Sequence, residues 1–189
     1  REMKKIFLVL ILFFGSINIL NAEVNRIISG NKEAKITIIA YESLTCSHCA
    51  DFHKDIYPQL KKDYIDTGLV KIEFRHFPLD VAAFNASKIS QCKIGKGLEI
   101  LNSLYSNQQE WVRGNTVEEI NDNLKKFIKN QGFKINFEKC INNKEIEDFV
   151  LNDRIEGVKK FKVNATPTII INDEKFGKTL NYKNLKKSL

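Results

Sequence analysis

Thr45-Cys46-Ser47-His48-Cys49 follows the apolar run Ile36-Thr37-Ile38-Ile39-Ala40-Tyr41 and opens a segment with apolar residues at helical spacing. A strand therefore runs into a helix, with a Cys-x-x-Cys at the junction. The first sulfur meets the unpaired N–H groups and positive dipole end of that helix, where negative charge is favoured. This favours thiolate, the nucleophilic form of cysteine.

A second signal lies far downstream, where Ala165-Thr166-Pro167-Thr168 precedes Ile169-Ile170-Ile171. Proline near a strand is tolerated at an edge, at the first residue or in a special turn. A cis Thr166–Pro167 bond beside the cysteine pair would account for its place.

Between these signals the chain reads as one α/β domain interrupted by helices. Lys35 to Ser43 is a strand buried on both faces. The helix from Cys46 carries Phe52, Ile56 and Leu60 on one stripe, with a kink expected at Pro58 and a stop at Thr67-Gly68. Leu69 to Phe77 alternates as a second strand. Val81–Ile94, Leu98–Tyr105, Val117–Ile128 and Ile146–Phe161 then repeat at helical spacing, with breaks near Gly95, Gly97, Gly114 and Gly132. Thr116 and Glu119 form a capping-box pattern. Thr168 to Ile171 returns to strand, Asn172 to Lys175 turns into a short strand through Phe176, and Tyr182 to Leu189 closes as a helix. The division expected is residues 23–80 and 164–189 as the two parts of one α/β domain, with 81–163 inserted as a helical block.

Residues 1–22 read as a cleaved signal peptide: Met3-Lys4-Lys5, the apolar run Ile6–Phe14, then Leu20-Asn21-Ala22. Ser16 and Asn18 interrupt the run, which argues against a membrane anchor. The whole chain has 30 basic and 23 acidic residues among its 189. The lysines are mixed with acids on helical segments, as on solvated faces, and export argues against nucleic acid as a partner.

Four cysteines form an even set, suited to an oxidising compartment. Three pairings are possible. Because Cys46 and Cys49 belong to one local motif, Cys92 is left for Cys140, a structural disulfide worth about 4 kcal/mol on loop-closure entropy. Trp111 should pack within the same helical block.

Cys46-Ser47-His48-Cys49 admits four readings: a redox pair, half of a zinc site, an inert disulfide, or two core thiols. Zinc needs two more ligands at suitable spacing. His53, His76, Cys92 and Cys140 are present, yet there is no second Cys-x-x-Cys and no His-x-x-x-His. An inert bridge across so short a loop gains little. The redox pair is preferred, with no metal or cofactor required. His48, between the cysteines, is assigned a functional role, whereas His53 and His76 should pack or face water. Glu42 is either a proton-transfer group for Cys49 or a solvated strand-end carboxylate.

Signal, strand, Cys-x-His-Cys, helical block and Thr-Pro before a strand, in that order, resemble the thioredoxin-fold thiol:disulfide oxidoreductases of DsbA type. The resemblance implies a thioredoxin fold with a helical insertion domain. It makes Cys46 the reactive cysteine, Cys49 its buried partner, His48 the thiolate-stabilising residue, and Thr166 and Pro167 the substrate-facing cis-proline loop. Ser47 departs from the proline common in the family, which bears on the strength of the oxidant. The implied activity is disulfide introduction into exported proteins with free cysteines, in the periplasm, with re-oxidation by a DsbB-type membrane quinone reductase. The short stretch Glu23–Ala34 leaves no room for the dimerisation domain usual in isomerases, so a monomer is expected. An isomerase or reductase of the same superfamily, a copper or zinc carrier and an inert secreted module are the alternatives.

Overall fold

In a computed structural model the described residues are 24–189, so the expected signal peptide at 1–22 lies outside them. A five-stranded sheet is built from β1 (Ile27–Ser29), β2 (Ile36–Glu42), β3 (Val70–His76), β4 (Thr168–Ile171) and β5 (Glu174–Lys175). Its order is β1-β3-β2-β4-β5, which puts β2 at the centre. β2 and β3 are parallel, registered from Ile36↔Val70 to Glu42↔His76, and the other pairs are antiparallel. The parallel pair requires a crossover, and helix α1, residues 47–65, supplies it.

Along α1, α-helical turns (Ser47–Asp51, Tyr57–Leu60) alternate with wider π turns (Phe52–Ile56, Lys61–Ile65). The first wide stretch comes just before Pro58, whose missing N–H leaves one α-type bond unmade. The chain therefore continues past the proline and still buries Phe52, Tyr57 and Leu60 against Ile38, Ala40, Ile72 and Phe74 of the sheet.

Between β3 and β4 lies the helical insertion: α2 (Val81–Gln91), α3 (Gly97–Ser106), α4 (Gln108–Trp111), α5 (Val117–Asn130), α6 (Phe137–Ile141) and α7 (Lys144–Phe161). Four of these follow the sequence periodicity. The extra two, α4 and α6, span one helical turn or little more, too short to show a repeat. Side-chain caps start most of them: Asp80 accepts from Ala83 N–H, Thr116 from Glu119, Asn136 from Lys139 and Asn143 from Ile146. Helix α8 (Tyr182–Lys186) follows β5.

The other face of β2 and β4 places Ile39, Tyr41 and Ile170 with Phe77, Phe161 and Val163. Helix α7 comes close to this face because residue 157 is glycine; a Cβ there would stand 2.8 Å from the Tyr41 ring. β1 was not visible as a strand in the polar lead 23–33. Its three residues are too few to display alternation, and pairing to β3 is what buries Ile27 and Ser29.

Candidate functional site

β2 ends at Glu42, and Ser43–Thr45 turn the chain into α1 with Cys46 as its N-cap residue. Cys46 has extended backbone angles, φ −79° and ψ 120°, while its carbonyl already accepts the first helical bond, from Ala50 N–H at 3.2 Å. Cys49, one turn on, is fully buried, and Cys46 is half-buried. Both are free thiols in this structure.

The Thr166–Pro167 bond is cis and belongs to the loop that leads into β4. Because β4 pairs with β2, that loop arrives beside the turn that carries Cys46. The Cys46 thiol donates to the Thr166 carbonyl at 3.5 Å. The Thr166 hydroxyl is buried on the Cys46 side of the loop and can donate to that sulfur. Two local pairs about 120 residues apart in the chain, Cys46 with Cys49 and Thr166 with Pro167, thus come to one place.

The Cys46 thiol is held down at about 5 against an ordinary value of 9.0. The largest cause is a hydrogen bond from the Cys49 thiol; the Thr166 side chain and the N–H groups of Cys49 and His48 add to it and outweigh partial burial. Cys49 moves the opposite way. Burial first, then its bond to Cys46 and the nearby Glu42 charge, push its thiol far above the ordinary range. One sulfur is therefore a ready anion and its neighbour a reluctant one.

His48 is the second residue of α1. Its imidazole is 82 % exposed and lies 3.8 Å from Asp51, and what the residue offers the Cys46 sulfur here is its backbone N–H. The helix terminus supplies that group whatever the side chain.

Glu42 is not a solvated carboxylate. It is 3 % exposed and bonds His53 Nε2 at 2.8 Å, with burial raising its carboxyl above the usual range. His53 in turn stacks on Tyr105 at 4.1 Å between ring centroids. His76 is buried too, 2.8 Å from Gln91 and held down at about 3 by burial and Arg26. Two further residues escaped the sequence reading. Asp80 accepts the Thr45 hydroxyl at 2.6 Å, and Gln108 donates to the Leu44 and Cys46 carbonyls. Neither carries a sequence signal, since each acts through a contact made only on folding.

Cys92 and Cys140 are joined in a disulfide, with Cα atoms 5.7 Å apart, between the end of α2 and α6. Among the described residues no three His, Cys, Asp or Glu side chains converge as a metal set.

A Cys-x-x-Cys at the helix start after the central strand, opposed by a cis-proline loop that leads into its antiparallel neighbour, defines a thioredoxin-fold dithiol protein. A family model described as thioredoxin matches residues 22–189, and the crystal structure of Wolbachia pipientis alpha-DsbA1 is similar at 30% identity and a TM-score of 0.76, covering 87% of this chain and 88% of that one. The chain belongs to the thioredoxin family and, within it, to the DsbA-type proteins. Disulfide bond formation protein D of Bacillus subtilis is 26% identical over 85% of this chain and 73% of its own length. A putative protein-disulfide oxidoreductase of Rickettsia typhi is 28% identical over 78% of this chain, which spans only 55% of that relative's length.

Proposed function

We propose that this chain is a protein thiol:disulfide oxidoreductase that introduces disulfide bonds into exported proteins by exchange through Cys46 and Cys49. The observation that carries the reading is the asymmetry of the pair: a half-buried thiol at about 5 beside a buried one raised far above normal. Stabilising the Cys46 thiolate stabilises the dithiol form, which makes the disulfide form an oxidant.

In the disulfide form, a substrate thiolate attacks Cys46 Sγ, the Cys46–Cys49 bond breaks and Cys49 leaves with the electron pair. Burial makes that thiolate a strong base, and it takes a proton within the site. Glu42 is the candidate donor, since its charge acts on Cys49 and burial keeps its own proton available. A second substrate thiolate then attacks the substrate sulfur of the mixed disulfide. Cys46 leaves easily as a stable anion. The substrate has lost two electrons and the protein has gained two. The Thr166–Pro167 loop offers an edge on which an extended substrate chain can pair beside Cys46.

To turn over, the dithiol must be re-oxidised, and a DsbB-type membrane quinone reductase is the partner this reading calls for. Residues 1–22 act as the export signal, the periplasm is the compartment, the molecule works as a monomer, and the Cys92–Cys140 bridge is structural. Ser47, where the family commonly has proline, bears on how strongly the protein oxidises. The deciding measurement is the equilibrium of the Cys46–Cys49 pair with glutathione, together with oxidation of a reduced model protein. A pair that glutathione reduces readily supports the oxidase. A pair that stays oxidised against excess glutathione would make the chain a reductant instead.

A further inference from the structure

The turn from Ser43 to Cys46 holds the reactive sulfur, yet it belongs to neither the strand nor the regular helix. Two ties from the insertion fix it. At the surface, Asp80 accepts the Thr45 hydroxyl at 2.6 Å and also caps α2 through Ala83 N–H at 2.7 Å. In the interior, one nitrogen of the Gln108 carboxamide donates to the Leu44 carbonyl at 2.8 Å and to the Cys46 carbonyl at 3.1 Å. Gln108 is 6 % exposed, so its bonds face no competition from bulk water. Its helix is pinned by Trp111, fully buried, whose indole N–H donates to the Leu104 carbonyl at 2.9 Å.

The Cys46 carbonyl thus has both lone pairs engaged, by Ala50 N–H along the helix and by Gln108 from outside it. That carbonyl fixes the plane of the Cys46–Ser47 peptide, and with it the extended ψ of 120° at Cys46. An N-cap side chain finds the second and third helical N–H groups only in that conformation. Here those groups belong to His48 and Cys49.

We propose that Gln108 is a positioning residue for the exchange chemistry: its carboxamide locks Cys46 in the N-cap conformation, so that the helical insertion controls how well the sulfur is solvated by the first turn. Gln108 touches no reacting atom. The inference rests on the oxidoreductase reading, because it concerns the same sulfur.

The test compares the full chain with Gln108→Leu, which keeps the side chain's size and removes both donors, and Gln108→Met, an unbranched substitute. The Cys46 thiolate is titrated by its absorbance, and the equilibrium constant with glutathione is measured alongside unfolding. A rise of about one unit in the Cys46 midpoint and a roughly tenfold fall in the oxidising constant are expected, the worth of one lost hydrogen bond. Lower stability with both quantities unchanged would reduce Gln108 to a structural role and overturn the proposal. In the unaltered protein, the Gln108 side-chain amide protons should shift with the Cys46 midpoint; their indifference would overturn it even if neither variant folds. An ordinary Cys46 midpoint in the unaltered protein would instead sink the oxidoreductase reading.

Discussion

The two cysteine pairs occupy the same molecule under opposite conditions. Cys46 and Cys49 are one helical turn apart in a strand-to-helix junction, and their environments drive the two thiols in opposite directions. Cys92 and Cys140 stand 48 residues apart in the helical insertion, with Cys140 only 2 % exposed and the bond tying α2 to α6. Closing a short loop changes chain entropy little, so the first pair gains nothing much from staying bonded. Closing a long one is worth about 4 kcal/mol, which suits a permanent bridge. Loop length and local polarity, and not the sulfur itself, are what distinguish the two pairs.

The sharpest way to break this comparison is to remove each pair in turn. Cys46→Ser should reduce oxidation of a reduced model protein to background while leaving the unfolding midpoint close to that of the dithiol form below about pH 5, where the Cys46 thiol keeps its proton and its charge adds no stability. Replacing Cys92 and Cys140 by alanine together should do the reverse: stability falls by up to about 4 kcal/mol in denaturant titration, and exchange activity survives. If the double variant instead loses activity at unchanged stability, the second pair is a redox relay.

Glu42→Gln leaves the fold's shape but removes the titratable proton beside Cys49. Single-turnover oxidation of a dithiol peptide should slow by about tenfold or more, with the Cys46 midpoint little changed, since general acid help is worth that much. Equal rates would leave Glu42 a buried partner of His53 and nothing more.

A smaller effect is expected in stability against pH. Cys46 titrates at about 5 when folded and near its ordinary 9.0 when unfolded. Its contribution to the dithiol form is full above the ordinary value and lost as pH falls through the folded one. Compared with the disulfide form, the dithiol protein should gain stability as pH rises across that window and show no difference in slope below it. Cys49 stays protonated when folded, so it opposes this trend only above the window. Parallel curves for the two forms would contradict the thiolate assignment. Thr166→Val should do least: it removes one hydroxyl donor, raising the Cys46 midpoint by no more than about one unit.

The strands β2, β3 and β4 and the longer helices were legible because burial on a strand or a helix face repeats at a fixed period. β1, α4 and α6 were not, each being too short to show one. The Cys-x-x-Cys and Thr166-Pro167 were legible as well, because few residue types can serve at a helix start or before a strand. Glu42 was half legible: its position raised a proton-transfer role, while its burial depended on His53 and Tyr105 arriving from α1 and α3.

Order and residue type by themselves determined the central strand, the dithiol at its end and the proline element that answers it. Tertiary structure alone decided that the His48 ring faces solvent, that Glu42 is sealed from water, and that Gln108 reaches across to the turn that carries Cys46. The reason is physical. Periodicity and special residues are local properties of a chain, whereas a sulfur's affinity for its proton is set by every donor, charge and water molecule that folding brings to it or takes away.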